Sequence, residues 1–111
     1  RRILLQIGLG DPAVPNVAAH LHARALGLSV LAPAPRVLPG IEAVTGPLES
    51  GLVEFDFGIS PWPDRVAMPT TEANDVHEQV RRLEAAKEQI DRFFAPGGKI
   101  EATCDGVWDP E

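Results

Sequence analysis

The stretch that decides the fold is ILLQIGLGDPAVP, residues 3–15. Its first seven residues, 3–9, are almost continuously apolar, which is typical of a strand covered on both faces in a parallel sheet. Gly10 and Pro12 flank Asp11 and interrupt that run, so the strand ends in a tight turn. The sequence therefore predicts a carboxylate at the carboxyl end of a central strand. Open α/β sheets bind their ligands at that edge.

The residues that follow predict a helix and a second strand. Asn16 can cap a helix over 16–26, in which apolar residues recur at helical spacing and which Gly27 terminates. Residues 28–32 then form a short strand that ends before two closely spaced prolines. This is a βαβ unit, whose strands are parallel and whose crossover is right-handed. We therefore predict an α/β fold with three layers and a mostly parallel sheet.

The middle of the chain, residues 33–73, is predicted to be a proline-rich insertion. Most of the prolines lie there, namely Pro33, Pro35, Pro39, Pro47, Pro61, Pro63 and Pro69. Within the insertion, residues 51–58 alternate apolar and acidic side chains, the pattern of a strand with one wet face. The insertion is thus expected to add one strand at an edge of the sheet. Irregular segments of this length in a compact domain are usually functional or partly disordered.

A long amphipathic helix over 74–95 is the last helix that the pattern predicts. Asn74 or Asp75 can cap it, and a Pro-Gly-Gly tripeptide ends it. His77 then lies in its first turn. Residues 99–104 are compatible with a final strand.

Composition limits the classes of protein to which the chain can belong. Its 111 residues fit a single domain, and 44% hydrophobic with 23% charged residues is a globular composition. The net charge of −6 argues against nucleic-acid binding, which needs a surplus of Lys and Arg. No apolar run approaches the roughly 20 residues of a membrane span. Cys104 is the single cysteine, which excludes an internal disulfide and a cysteine-based zinc site.

The order of these motifs resembles the C-terminal half of an α/β-hydrolase. The resemblance is carried by a strand, Gly-Asp-Pro-x-Val-Pro, a helix, a strand, and a His before a last helix ending in IDRFF. It covers residues 3–32 and 74–95 and does not extend to the insertion. In that family the acid follows the seventh strand, the His follows the eighth, and the nucleophilic Ser lies upstream on a G-x-S-x-G elbow. The resemblance implies that Asp11 is the triad acid and His77 the general base.

The two positions are also chemically compatible as a pair. A triad acid fixes the imidazole tautomer and stabilises the imidazolium that forms during catalysis. A strand end with Pro12 in its turn holds Asp11 rigidly. A helix N-terminus alone disfavours a positive His77, so an acidic partner is needed to offset it.

A nucleophile is missing from this pattern. The chain has Ser29, Ser50 and Ser60, and none stands in a G-x-S-x-G elbow. We therefore expect the nucleophile to precede residue 1, which makes the chain the C-terminal fragment of a larger hydrolase that is inactive alone. The start at Arg1 without Met agrees with a cut, so the compartment stays open. The expected partners are the upstream half of the same polypeptide and a small ester or peptide substrate, with no cofactor and no metal.

Each residue also has a simpler interpretation. Asp11 taken alone is more often a turn former, and His77 taken alone an exposed first-turn residue. The competing class is a non-catalytic interaction module that oligomerises through exposed sheet edges, such as a strand at 52–57. Weaker candidates are a dinucleotide loop that lacks its third glycine, a thiol nucleophile at Cys104, and an acyl pocket around Trp62.

Overall fold

The fold is a four-stranded parallel sheet with three helices, seen in a computed structural model that describes residues 1–60 and 65–104. The elements in chain order are β1 (Leu4–Gly8), α1 (Asn16–Ala25), β2 (Val30–Ala32), β3 (Ala43–Thr45), β4 (Gly51–Phe55), α2 (Val76–Arg82) and α3 (Glu84–Phe94). The α/β class is thereby confirmed. None of the helices in these two ranges is long and apolar enough to cross a membrane.

The strand order is β1-β4-β2-β3, and every neighbouring pair is parallel. β4 pairs with all of β1, from Leu4 opposite Gly51 to Gly8 opposite Phe55. It therefore separates the two strands of the predicted βαβ unit, which are parallel but not adjacent. The insertion between residues 33 and 73 contributes two strands, β3 and β4, rather than one.

The prediction of an edge strand at 51–58 is wrong. β4 lies inside the sheet, and all five of its residues are buried. The alternation suggested a wet face because it contains acidic residues, but Glu54 is completely buried. Its carboxylate faces α1, where Oε1 lies 2.7 Å from His20 Nε2, and this contact offsets part of the cost of burial. The same pattern thus arises from a buried contact between a histidine and a carboxylate beneath a helix.

Helices cover both faces of the sheet, because alternate strand residues contribute to two separate cores. The first core joins the sheet to α3 and contains Leu31, Val53, Phe55, Ala86, Phe93 and Ile100. The second joins the sheet to α1 and the segment after β2, and contains Ala23, Leu28, Val30, Leu38, Ile41 and Leu52. β2 and β4 each contribute buried residues to both cores, so these two inner strands join the layers.

The C-terminal helix differs from its prediction because it is broken in two. Leu83 takes an extended backbone, with φ −64° and ψ 121°, between α2 and α3. Its side chain packs against the first core, as does that of Val80. The break lets Val80 of α2 and both Ala86 and Phe93 of α3 pack on the same core. Residues 99–104 form no strand; Ile100 makes only an isolated antiparallel bridge with Leu48.

Candidate functional site

The turn after β1 holds Asp11 in a fixed orientation. Gly10 has φ 82°, a left-handed conformation that glycine adopts without strain. One carboxylate oxygen of Asp11, Oδ1, accepts hydrogen bonds from the backbone N–H groups of Ala13 and Val14, both at 2.9 Å. The residue is only 7% exposed. Its second oxygen, Oδ2, is left to bind another group.

Asn16 braces this turn from the start of α1. Its Nδ2 donates to the carbonyl of Gly8 at 2.8 Å, and its Oδ1 accepts from the N–H of Gly10 at 2.9 Å. The side chain is therefore used across the turn, and it makes no capping hydrogen bond to α1 as the sequence had suggested. Its almost complete burial makes these two bonds hard to exchange for water.

A second loop is tied directly to the acid turn. Asn74 donates from Nδ2 to the carbonyl of Gly10 at 2.8 Å, while its Oδ1 accepts from the N–H of Val76 at 3.3 Å. The N–H of Met68 donates to the carbonyl of Pro12 at 2.6 Å. The segment that leads into α2 is thus held against the residues around the carboxylate. Sequence reasoning treated Asn74 only as a possible cap, and its role across the two loops was missed.

The start of α2 also packs closely on the end of β1. Val76 is fully buried, and a Cβ atom built on Gly8 would lie 2.3 Å from Val76 Cγ1. Only glycine leaves room for this approach, because real Cβ atoms do not come nearer than about 3 Å to such a neighbour. The close packing brings the next residue, His77, over the acid turn.

The structure brings Asp11 and His77 together, although they lie 66 positions apart. His77 Nδ1 is 2.8 Å from Asp11 Oδ2. Arg81 Nη2 lies 3.0 Å from the other ring nitrogen, Nε2. Because a guanidinium can only donate, Nε2 accepts that hydrogen bond and Nδ1 carries the proton donated to Asp11. The imidazole is therefore held in the tautomer that presents a lone pair away from its carboxylate.

The pair lines a cleft of about 330 Å³ beside β1. Its walls include the apolar side chains of Val14, Pro15, Val80 and Ile90. Two cations, Arg81 and Lys87, also line it. The cleft runs along the outer edge of β1, with which no strand pairs in the part of the chain that the structure describes.

The serines lie elsewhere. None of the three is among the residues that line the cleft. Ser50 accepts a hydrogen bond from the N–H of Ile3 at 2.9 Å, beyond the amino end of β1 and so at the opposite end of the sheet from Asp11. Cys104 packs at the margin of the first core. Trp62, considered as part of an acyl pocket, lies outside the described residues.

The remaining histidines behave differently from His77. His22 is exposed on α1, whereas His20 is buried and its Nε2 contacts Glu54 Oε1 at 2.7 Å. Arg36 Nε lies 3.5 Å from the other oxygen of the same carboxylate. Within residues 1–60 and 65–104, no group of three or more His, Cys, Asp or Glu side chains is placed to hold a metal ion.

Comparisons of the chain with protein-family models, with curated proteins and with solved structures gave no match. The geometry of the Asp11–His77 pair and its cleft is therefore the basis on which a function can be proposed.

Proposed function

We propose that Asp11 and His77 are the acid and the general base of a serine-hydrolase triad that cleaves an ester or amide. The observation that carries the proposal is the 2.8 Å contact between His77 Nδ1 and Asp11 Oδ2 at the carboxyl edge of a parallel sheet. In a catalytic triad the carboxylate accepts the Nδ1–H of the histidine, and Nε2 of the same ring acts on the nucleophile. Asp11 and His77 are arranged in this way.

In this proposal each atom of the pair has a defined task. Nε2 of His77 takes the proton of the attacking hydroxyl and later returns it to the leaving group. Asp11 keeps the ring in the tautomer with the proton on Nδ1, and it stabilises the imidazolium that forms in between. The two backbone N–H groups on Oδ1 and the brace by Asn16 restrict the carboxylate to one orientation.

The nucleophile in this proposal comes from a segment of the polypeptide that precedes Arg1. The free outer edge of β1 supports this assignment, because a further parallel strand can pair there next to the cleft. Val14 and Ile90 expose apolar surface beside that edge, which such a segment would cover. The chain then acts as the half of a hydrolase that supplies acid and base.

An ester-hydrolysis assay tests the proposal in two forms of the protein. In a polypeptide that joins these residues to the segment before Arg1, His77→Ala should lower kcat by about a thousandfold or more. His22→Ala is the matched control and should leave kcat unchanged, because His22 is exposed on α1. The 111-residue chain alone should show no turnover. Turnover by the chain alone, or full activity of His77→Ala, would refute the proposed function.

A non-catalytic interaction module is the second candidate, and the same free edge of β1 favours it. Phe94 and Ile90 are large exposed apolar residues on α3, which packs near β1. A second copy of the chain could pair with that edge and cover them. This role predicts a concentration-dependent dimer in sedimentation measurements and an activity of the joined polypeptide that His77→Ala leaves unchanged.

A further inference from the structure

Arg81 contacts His77 Nε2, the atom that would accept the proton if His77 acted as the general base. Its Nη2 lies 3.0 Å from His77 Nε2, and its Nη1 lies 3.2 Å from Glu78 Oε1. A lone pair that accepts a hydrogen bond from a guanidinium cannot at the same time accept the proton of a hydroxyl. The base is therefore blocked while Arg81 stays in this position.

A stronger hydrogen-bond acceptor can replace His77 Nε2 as the partner of the Arg81 guanidinium. The Arg81 side chain is largely exposed, so holding it against a neutral ring nitrogen gains little over holding it in water. A guanidinium binds a carboxylate through two parallel N–H···O bonds, which are stronger than a bond to a neutral acceptor. An organic carboxylate that enters the cleft thus competes with His77 Nε2 for the same donors.

We infer that Arg81 is a specificity-determining residue that binds the carboxylate of an anionic substrate and, in doing so, releases His77 Nε2. This inference rests on the proposed function, because it assigns a substrate class to that same cleft. The substrate is an ester or amide that carries a carboxylate near the scissile bond. In its absence the guanidinium returns to the imidazole.

The rest of the cleft fits a ligand with an apolar body and one acidic end. Val14, Val80 and Ile90 offer apolar walls, and Lys87 adds a second cation. Glu84 and Glu78 pair with Lys87 and Arg81. Because the guanidinium has donors beyond the one on Glu78, it can keep that partner and still bind a carboxylate ligand.

Acylation of histidine by diethyl pyrocarbonate tests the inference on the 111-residue chain itself. The reagent attacks an unprotonated ring nitrogen, and peptide mass spectrometry reads His77 and the exposed His22 separately in the same sample. The quantity measured is the ratio of the His77 rate to the His22 rate, which cancels losses of reagent. Arg81→Ala should raise this ratio by roughly threefold to tenfold, the effect of removing one hydrogen bond.

Sodium acetate is the probe for the carboxylate, compared with sodium chloride at equal ionic strength. Acetate should raise the ratio in the wild-type chain and leave it unchanged in Arg81→Ala, which is already unblocked. Arg82→Ala is the matched control, since this neighbouring arginine pairs with Asp75 and does not line the cleft. It should respond to acetate as the wild type does.

Two results would overturn the inference: an unchanged ratio in Arg81→Ala, or no acetate effect in the wild type, whether or not inorganic phosphate has one. Arg81→Gln, which keeps the methylene stem, serves if circular dichroism finds Arg81→Ala unfolded. The assay contains no ester, so its outcome is independent of hydrolysis. An acetate response together with full hydrolytic activity of His77→Ala would refute the proposed function and leave the anion site standing.

Discussion

The described residues, 1–60 and 65–104, contain two pairs of histidine and carboxylate at nearly the same distance. His77 and Asp11 meet at 2.8 Å and His20 and Glu54 at 2.7 Å, yet they differ in which ring nitrogen is used. His77 turns Nδ1 to its carboxylate and directs Nε2 to the cleft. In His20 it is Nε2, the nitrogen at the tip of the ring, that contacts a carboxylate inside the protein. Only the first arrangement leaves Nε2 outside the carboxylate contact, in a residue that lines the cleft.

The two pairs also differ in their surroundings: one lies at the edge of the sheet and the other in its interior. Asp11 has backbone donors on one oxygen and a partly exposed histidine on the other, at the edge of the sheet. Glu54 lies in the middle of the sheet and holds α1 through His20 and the segment after β2 through Arg36. A short contact between a histidine and a carboxylate therefore does not by itself assign a role, since one pair lies inside the sheet and the other at the carboxyl end of β1.

Removing the carboxylate of the interior pair should have the largest effect on stability. Glu54→Ala leaves His20 and Arg36 beneath α1 without the carboxylate between them, which should lower the free energy of unfolding by about 3–5 kcal/mol. Urea denaturation followed by circular dichroism measures the change. Glu49→Ala is the control, because that exposed carboxylate pairs with Lys99 at the surface and should matter far less. An equal loss of unfolding free energy in Glu54→Ala and Glu49→Ala would contradict the structural importance of the buried carboxylate.

Gly8→Ala should separate the two pairs at an intermediate energetic cost. The added Cβ overlaps Val76 Cγ1, so α2 must move away from β1, with a loss of about 1–3 kcal/mol. His77 should lose its contact with Asp11 while His20 keeps Glu54. NMR spectra of the imidazole N–H protons can follow both rings separately.

The double variant Gly8→Ala/Val76→Ala tests the cause of that displacement. Removing the valine methyl groups makes room for the new Cβ, so the His77 Nδ1 proton signal should return. The energetic cost of the two substitutions should then be non-additive. A double variant in which the signal stays absent would show that the overlap is not what displaces α2.

Asn74→Asp should have the smallest effect and should act on the edge pair only. The aspartate keeps an acceptor for the N–H of Val76 but cannot donate to the carbonyl of Gly10, which should lower the unfolding free energy by about 1 kcal/mol. Solvent exchange of the His77 Nδ1 proton should become faster because the two loops are less tightly joined. Gln79→Ala, on the exposed face of α2, is the control and should leave that exchange rate unchanged.

The sequence predicts the Asp11–His77 pair, but it does not predict the His20–Glu54 pair. Asp11 follows a continuous apolar run and His77 starts an amphipathic helix, so local signals place both of them at element ends. Glu54 stands in an alternating pattern, which has the same form whether the acidic face meets water or a buried histidine. Nothing local identifies His20 as its partner, because the two lie 34 positions apart on different elements.

Two further features escaped prediction for the same reason. The break at Leu83 interrupts a helical repeat that is continuous in sequence, and it follows from packing on the sheet. Arg81 lies four positions after His77 on α2, a spacing that by itself makes the two side chains neighbours. Which ring nitrogen faces Arg81 depends on the contact between His77 Nδ1 and Asp11, which only the tertiary fold provides.

The strand order β1-β4-β2-β3 has a consequence for how the chain folds. Residues 1–32 contain a strand, a helix and a strand, but the space between the two strands must wait for β4. During synthesis, that gap stays open until residue 55 has left the ribosome. Formation of the sheet therefore depends on pairings between residues far apart in sequence, which form more slowly than local contacts.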